Sequence, residues 1–310
     1  MHIPDGFLDL QTAAVAAVVA GLGIAVALRD VKRNLPPRRV PLIGLAAAFV
    51  FAAQMLNFPV AAGTSGHLIG AVLACVLVGP AAAVVVMTAV LVLQCLMFAD
   101  GGVTALGANL LNMAVIAPAV GHVVYSTLKG STGGLRRTLL AAGFAAWCAT
   151  LVASLACAAQ LAASGTVPWS LVLPAMGGVH MVIGLGEAVI TMLVLAVVAR
   201  ARPELLRAGE PAAAAINSTT AFGLLAALGL VAFVAPFASS MPDGLEHVAE
   251  KLGFAASATA AHAAPLPDYA VMSLAGDSPL LSTVLAGGIG TLVAFAVAWF
   301  VARALTPAHA

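Results

Sequence analysis

The stretch MHIPDGFLDLQTAAVAAVVAGLGIAVAL, residues 1–28, joins a short polar head to an uninterrupted apolar run. The run from residue 10 to residue 28 has about the length that an α-helix needs to cross the hydrocarbon core of a bilayer. No basic segment precedes the run and no cleavage site follows it in a typical place, so we expect no removable signal peptide. The head is therefore expected to remain on the chain, with a free α-amine at Met1.

The composition of the whole chain is that of a membrane protein. Its 310 residues are 62% hydrophobic and 8% charged, against about 25% charged residues in soluble domains. The fold class predicted is all-α, a polytopic integral membrane helical bundle in a lipid bilayer. No basic patch with interleaved aromatic residues is present, so no nucleic acid is expected as a partner. The four cysteines lie in apolar runs without a CxxC pair, which favours buried small hydrophobic residues over disulfides or a thiolate metal site.

Nine apolar stretches predict about seven membrane spans followed by a two-span C-terminal unit. A polar linker that begins near Pro203 separates two domains, residues 1–205 and residues 218–310. The third stretch is short enough for a partly re-entrant segment. We find no internal repeat. The predicted spans are 10–28, 40–58, 67–79, 81–98, 104–127, 138–162, 170–199, 219–239 and 279–302.

The loops predict the orientation in the cytoplasmic membrane, because Lys and Arg concentrate in cytoplasmic loops. Alternating loops can place every one of the 13 basic residues except Lys251 on one side. That side is then the cytoplasm, the N-terminus lies outside and the C-terminus inside. The head of the chain and His67, which follows a Gly-Thr-Ser-Gly turn, are consequently expected on the same external side.

The first two residues and His67 form a candidate metal site. The Met1 amine, the backbone nitrogen of His2 and its imidazole Nδ1 can close two fused chelate rings on one ion. His67 would supply a fourth nitrogen in the same plane. Square-planar nitrogen sets suit Cu(II) or Ni(II), and low-spin Co(II) accepts them as well. The ligands are neutral or lose a proton on binding, so affinity should fall in acid.

Other polar residues near the predicted spans have two interpretations: they orient the metal ligands and hold the head, or they form interhelical hydrogen bonds. We favour hydrogen bonds for Gln94 and for Asn109 and Asn112, whose spacing puts them on one helix face. Both interpretations stay open for His180 and Glu187, about 10 Å apart along one helix. Remaining candidates for orienting side chains are Asp5, expected to pin its turn, and Asn57. His247 and His262 are expected in a solvated acidic loop, 240–278.

Four motifs of the chain carry a family resemblance. Three lie in the N-terminal part: Met1 to Leu8; Asn57-Phe58-Pro59 through Gly63-Thr64-Ser65-Gly66-His67; and Gly177-Gly178-Val179-His180 to Gly184-Leu185-Gly186-Glu187-Ala188. They resemble the CbiM/NikM family, the substrate-binding membrane subunits of energy-coupling-factor importers for cobalt and nickel. The fourth is Pro242-Asp243-Gly244-Leu245-Glu246, through which residues 218–310 resemble the small accessory subunit of these systems, a PDGLE-type NikN/CbiN-like domain.

The resemblance implies a seven-helix unit that binds Ni2+ or Co2+ as transported substrate through Met1, His2 and His67, with no organic cofactor. It also implies a transmembrane coupling (T) subunit and cytoplasmic ATPase subunits as partners. Pro4-Asp5 is more similar to the nickel branch; a cobalt importer for cobalamin synthesis is the alternative. An accessory C-terminal unit implies that deleting residues 218–310 spares metal binding but weakens transport.

Three other function classes fit the sequence less well. A metal secondary carrier independent of ATPases often shows repeated halves, which are absent here. A membrane metalloenzyme needs an open coordination position and a general base, which four in-plane nitrogens do not provide. A sensor that binds metal and only signals needs a soluble output domain, and the sequence predicts none. The chain also lacks a Walker-type phosphate loop, so it is expected to be no enzyme itself, with ATP hydrolysed by partner subunits.

Overall fold

The computed structural model describes residues 1–60, 63–130, 134–206, 216–259 and 262–306. These residues fold almost entirely into α-helices, which confirms the predicted class. The helices are α1 Leu10–Asn34, α2 Val40–Gln54, α3 Ala71–Val78, α4 Pro80–Phe98, α5 Leu106–Asn109, α6 Ala117–Lys129, α7 Leu135–Ala163, α8 Trp169–Ala201, α9 Ile216–Phe233, α10 Gly244–Leu252, α11 Met272–Ala275 and α12 Pro279–Leu305. A π-helical segment, Leu110–Ile116, joins α5 to α6.

Seven helical segments in the described part of the chain are long and apolar enough to cross a membrane. They are α1, α4, the joined segment Leu106–Lys129, α7, α8, Thr219–Phe237 and α12. Helix α7 packs along α8, and α12 and α9 both pack on α2, so the C-terminal unit is part of one bundle with the N-terminal unit. Small residues line the contacts, including Ala286, Ala294 and Ala298 of α12, each fully buried.

The predicted second and third spans are too long. Helix α2 ends at Gln54, four residues before the predicted end, and α3 has only eight residues. The chain between them forms a short antiparallel pair, β1 Phe58–Pro59 with β2 Ser65–Gly66. The loop could not be recognised from the sequence because its residues are as apolar as those of a helix. Its main-chain polar groups are hydrogen-bonded inside the protein, as where Gln54 Nε2 donates to Ile69 O over 2.8 Å.

The π-helical segment changes which side chains share a face. Asn112 exchanges two 2.8 Å hydrogen bonds with Gln160 of α7. Asn109 instead faces the first residues of the chain. The predicted interhelical hydrogen bond is therefore confirmed for Asn112 and wrong for Asn109, since the wider π-turn separates residues that an α-helix would align.

The segment between α9 and α12 is less solvated than its charges suggest. Asp243 and Glu246 form a capping box that starts α10. The apolar face of α10, with Leu245 and Val248 almost fully buried, packs against α8. His247 is also buried. The expected solvated loop is thus wrong for α10, because the helix gives its apolar residues one common face.

Candidate metal site at the N-terminus

The first residues of the chain are inserted into the bundle as an extended peptide. Ile3 is fully buried, and Asn109 holds both of its main-chain groups: Oδ1 accepts from Ile3 N at 2.8 Å and Nδ2 donates to Ile3 O at 3.1 Å. Gly102 N donates to the same carbonyl over 2.9 Å. For Asn109 we favoured an interhelical hydrogen bond over a role in holding the head, and the structure shows the latter. These hydrogen bonds to Ile3 fix the direction in which the Met1 amine and the His2 ring point.

Asp5 ties the following turn to the loop between α4 and α5. Its carboxylate accepts hydrogen bonds from Val103 N at 3.1 Å and Thr104 N at 2.8 Å, and also from the Thr104 hydroxyl. Partial burial alone would raise the pKa of Asp5, but the hydrogen bonds from Thr104 and Val103 outweigh it and hold the pKa below its ordinary value. Asp5 therefore has the turn-pinning position expected for it and lies outside the ligand set.

The structure brings Met1, His2 and His67 together. The Met1 ammonium donates to Nε2 of His67 over 2.9 Å. Nδ1 of His67 lies 3.1 Å from the carbonyl of Leu68, which can only accept, so Nδ1 carries the proton and Nε2 the lone pair. The His2 and His67 rings stack with centroids 5.4 Å apart. An amine nitrogen and an imidazole lone pair thus already face each other.

The His2 ring has a different orientation from the chelate predicted for it. Its Nδ1, the nitrogen that a chelate with the Met1 amine requires, lies 3.1 Å from Oδ1 of Asp100. Asp100 in turn accepts a 2.6 Å hydrogen bond from the Tyr269 hydroxyl of the C-terminal unit. Binding through Nδ1 therefore requires the ring to leave Asp100.

A carboxylate from the C-terminal unit pairs with the Met1 amine. Oδ2 of Asp243 forms an ion pair with the ammonium and lies 3.9 Å from Nε2 of His67. Burial alone would raise the pKa of Asp243, but the Met1 ammonium and then His67 outweigh it and hold the pKa far below its ordinary value. Asp243 was not among the predicted site residues. The sequence singles it out solely through the motif Pro242 to Glu246, and no spacing rule connects that motif to residue 1.

Residues 239–244, here called the plug, cover the site. Ser65 Oγ donates to Met241 O at 2.7 Å, and Ser65 N donates to Pro242 O at 2.9 Å. Gly244 sits against the His180 ring so closely that a Cβ there would lie 2.8 Å from Cε1. The plug leaves a cavity of about 10 Å³ between Met1, His67, Thr150, His180 and Asp243, roughly the space of one water molecule.

Glu187 positions the chain just beyond His67. Its carboxylate accepts from Ile69 N at 2.6 Å and Gly70 N at 2.9 Å. Gly70, with φ of 78°, then begins α3 in a conformation that favours glycine. His180 lies in the cavity wall and its Nδ1 donates to Met176 O at 2.9 Å. The two residues thus act on different sides of the site. The Asn57 carbonyl accepts from Ser239 N, at 2.8 Å, in the plug segment.

The two site histidines are neutral bases at neutral pH. Burial, the Met1 ammonium and His2 together lower the pKa of His67 to about 3. Burial also lowers the pKa of His2, against the opposing effect of Asp100. Side chains alone make no metal site in the described ranges, because no three His, Cys, Asp or Glu residues cluster there. A site at this position depends on the amine and amide nitrogens of the main chain.

Comparisons with known proteins agree with this architecture. Residues 2–205 match the CbiM family model, described as cobalt uptake substrate-specific transmembrane region, and residues 217–307 match the PDGLE domain. The "putative fused nickel transport protein NikMN" of Archaeoglobus fulgidus is 37% identical over 98% of both chains. The "fused nickel transport protein NikMN" of Rhodobacter capsulatus is 34% identical over 95% of both.

A solved structure described as a truncated transition metal transporter is also similar. It is 35% identical, with a TM-score of 0.58, and the match covers 65% of this chain and 99% of that one. The chain is a multi-pass component of nickel or cobalt uptake. It belongs to the CbiM/NikM family, with a NikN-like PDGLE domain fused to its C-terminus.

Proposed function

We propose that this chain is the substrate-binding component of an energy-coupling-factor importer and that it captures Ni2+ through Met1, His2 and His67. The observation that carries the proposal is the 2.9 Å approach of the Met1 amine to the unprotonated Nε2 of His67, with the His2 ring stacked alongside. An ion between these groups would gain the amine, the His2 amide nitrogen, the His2 imidazole and His67. Such a set of four nitrogens suits square-planar Ni(II).

The charges around the ion support the same arrangement. A divalent ion bound to one deprotonated amide leaves a net charge of +1, and Asp243 can neutralise it. In the empty site the same carboxylate neutralises the Met1 ammonium. A buried charge needs such a partner, and here one carboxylate serves both states. Loading would replace protons on the amine and amide by the metal ion.

The transport cycle depends on partners outside this chain. We propose a transmembrane coupling subunit and cytoplasmic ATPase subunits, with the N-terminus on the external side and the C-terminus in the cytoplasm. Orientation rests on the distribution of Lys and Arg. Capture from outside, then release inward driven by the partner ATPases, follows from that arrangement. The same four nitrogens serve low-spin Co(II), so cobalt import for cobalamin synthesis is the second candidate, favoured by the matched family description.

Metal titration of the purified chain tests the site. With a free N-terminus and a C-terminal tag, Ni2+ should bind one to one and give a yellow, diamagnetic species with a visible d–d band. A matched chain with one glycine before Met1 should lose this species, since the amine no longer belongs to the first chelate ring. A pale-green octahedral spectrum for the unextended chain, or equal affinity in both chains, would exclude the proposed ligands.

Uptake into vesicles tests the mechanism separately. Accumulation should require the coupling subunit and ATPases, and ATP on the cytoplasmic side. ATP-independent accumulation by this chain alone would favour the secondary carrier. Parallel titration with Co2+ under anaerobic conditions ranks the two metals.

A further inference from the structure

One buried side chain next to the metal-binding head has no hydrogen-bond partner. Gln94 lies in the last turns of α4 and is fully buried, yet neither Oε1 nor Nε2 bonds to any described residue. Burying an unpaired amide is unfavourable, because the group loses its bonds to water without replacement. An interhelical hydrogen bond, the role that the sequence favoured for Gln94, requires a partner that the described chain does not supply. The unpaired amide needs another explanation.

The second unpaired group lies beside the first. Nε2 of His2 is buried and has no hydrogen-bond partner among the described residues. The Gln94 carbonyl accepts from Asp100 N at 3.1 Å, which places the residue beside the carboxylate that holds the His2 ring. Its side chain interacts weakly with the His2 ring and with the Tyr269 hydroxyl, but it forms a hydrogen bond of ordinary geometry with neither. The other ring nitrogen, Nδ1, is engaged with Asp100 at 3.1 Å. In the metal-free chain the ring proton is therefore on Nδ1, and Nε2 carries a lone pair.

We propose that Gln94 is a positioning residue of the metal-loaded site, whose Oε1 accepts a hydrogen bond from Nε2 of His2 when the ion binds at Nδ1. This inference rests on the proposed function. When the ion takes the Nδ1 lone pair, the ring proton resides on Nε2, and the number of ring protons is unchanged. The ring then exchanges Asp100 for the ion at one nitrogen and gains Gln94 at the other.

The His2 ring carries one proton in each state, and each state has one acceptor for it. Asp100, held by Tyr269 at 2.6 Å, accepts it in the empty site. Gln94 accepts it in the loaded site, where a histidine ligand ordinarily donates its second nitrogen to a nearby oxygen. Both groups flank His2 from α4 and the loop after it. The amide that is unpaired without metal thus orients the ring once metal is bound.

Gln94→Met in the full chain with a free N-terminus tests the proposal, because Met keeps the length of Gln without its hydrogen-bonding groups. Ni2+ titrated alone should bind roughly 10- to 100-fold more weakly than to the wild type, the usual effect of losing a partner of a metal-bound histidine. The melting temperature of the metal-free protein should stay equal or rise, since no bond is lost. A purely structural role predicts the opposite pair of results.

Gln54→Met is the matched control. Gln54 is also a buried glutamine, but its Nε2 donates to Ile69 O over 2.8 Å. This variant should lower the melting temperature of the metal-free protein. Gln94→Glu keeps an acceptor oxygen and should restore Ni2+ affinity. In 15N-labelled diamagnetic Ni(II) protein, the Nε2–H resonance of His2 should move on Gln94→Met as its hydrogen bond is lost.

The outcomes separate this inference from the proposed function. Gln94→Met with nickel affinity within about twofold of wild type, or with a lowered metal-free melting temperature, would overturn the role of Gln94 alone. A Gln94→Glu chain as weak as Gln94→Met would do the same. A wild-type chain that binds no Ni2+ would instead reject the proposed metal site itself.

Discussion

Asp243→Asn should weaken nickel binding because it removes the charge that neutralises the loaded site. The two oxygens of the Asp243 carboxylate have separate roles. Oδ1 of Asp243 caps α10 by accepting from Leu245 N at 2.7 Å and Glu246 N at 2.9 Å, while Oδ2 pairs with the Met1 ammonium. Asn caps helices as well as Asp does. The variant can therefore keep the plug in place while it loses the negative charge and the acceptor that Oδ2 offers to the Met1 ammonium.

The size of the effect follows from the two states. A loaded site of net charge +1 about 4 Å from the carboxylate loses about 4 kcal/mol of attraction at an effective dielectric constant of about 20. The empty site also loses an ion pair, the one between Asp243 and the Met1 ammonium, which offsets part of this attraction. With about 3 kcal/mol remaining, nickel affinity should fall about 100-fold.

Isothermal titration at pH 7 measures this difference, and Asp9→Asn is the matched control. Asp9 caps α1 by accepting from Thr12 N and is exposed, so the same chemical change there should leave affinity unaltered. Affinity of Asp243→Asn within about twofold of the control would refute the counter-ion role. Tighter binding would show that the carboxylate competes with the ion for the amine.

Two further predictions concern stability. Because the pKa of His67 is lowered to about 3, the unfolded chain binds more protons than the folded chain from pH 6.5 down to about 3. The metal-free protein should therefore lose up to about 1.4 kcal/mol of stability per pH unit below pH 6.5, with a shallower slope in His67→Gln; equal slopes in melting experiments would contradict this. Tyr269→Phe should lower the free energy of unfolding by about 2 kcal/mol, because it removes the hydrogen bond to Asp100. Tyr125→Phe keeps its ring beneath Lys129 and should have the melting temperature of the wild type.

The head of the chain could be proposed as a metal site because its chemistry is local. Met1 and His2 are neighbours in the chain, so a chelate between them needs no knowledge of the fold. His67 needed one more step, the orientation of loops derived from Lys and Arg, and the structure places its ring 5.4 Å from that of His2. The apolar runs likewise determine the helical class, since the backbone in a bilayer must satisfy its own hydrogen bonds.

The residues around the head could not be predicted, because they arrive from distant parts of the chain. Asp243 reaches Met1 across 242 positions, and Asn109 reaches Ile3 across 106. Neither contact leaves a periodicity in the sequence. The loop that carries Asp100 depends on Ala99 in a left-handed conformation, with φ of 56°, which no propensity favours for alanine. These positions follow from packing, which a single sequence does not encode in any local pattern.

The contacts of Asp243 also change what removal of the C-terminal unit should do. As an accessory unit it was expected to be dispensable for metal binding. A chain ending at residue 206 keeps Met1, His2 and His67 but loses both Asp243 and the Tyr269 hydroxyl that holds Asp100. We therefore expect the truncated chain to bind Ni2+ with the same visible spectrum but with affinity reduced at least as far as in Asp243→Asn.

The truncated chain differs from Asp243→Asn in a second respect, because it also exposes the site to water. Nickel affinity should therefore be measured for the wild type, the truncated chain and Asp243→Asn together. Water solvates a +1 centre and recovers part of the lost attraction. If the truncated chain binds as tightly as the full chain while Asp243→Asn binds about 100-fold more weakly, burial under the plug creates the need for a counter-ion. If both bind as tightly as the wild type, the carboxylate serves only to close the site. The ordering of these affinities thus separates charge neutralisation from closure as the reason why a PDGLE unit is fused to this family.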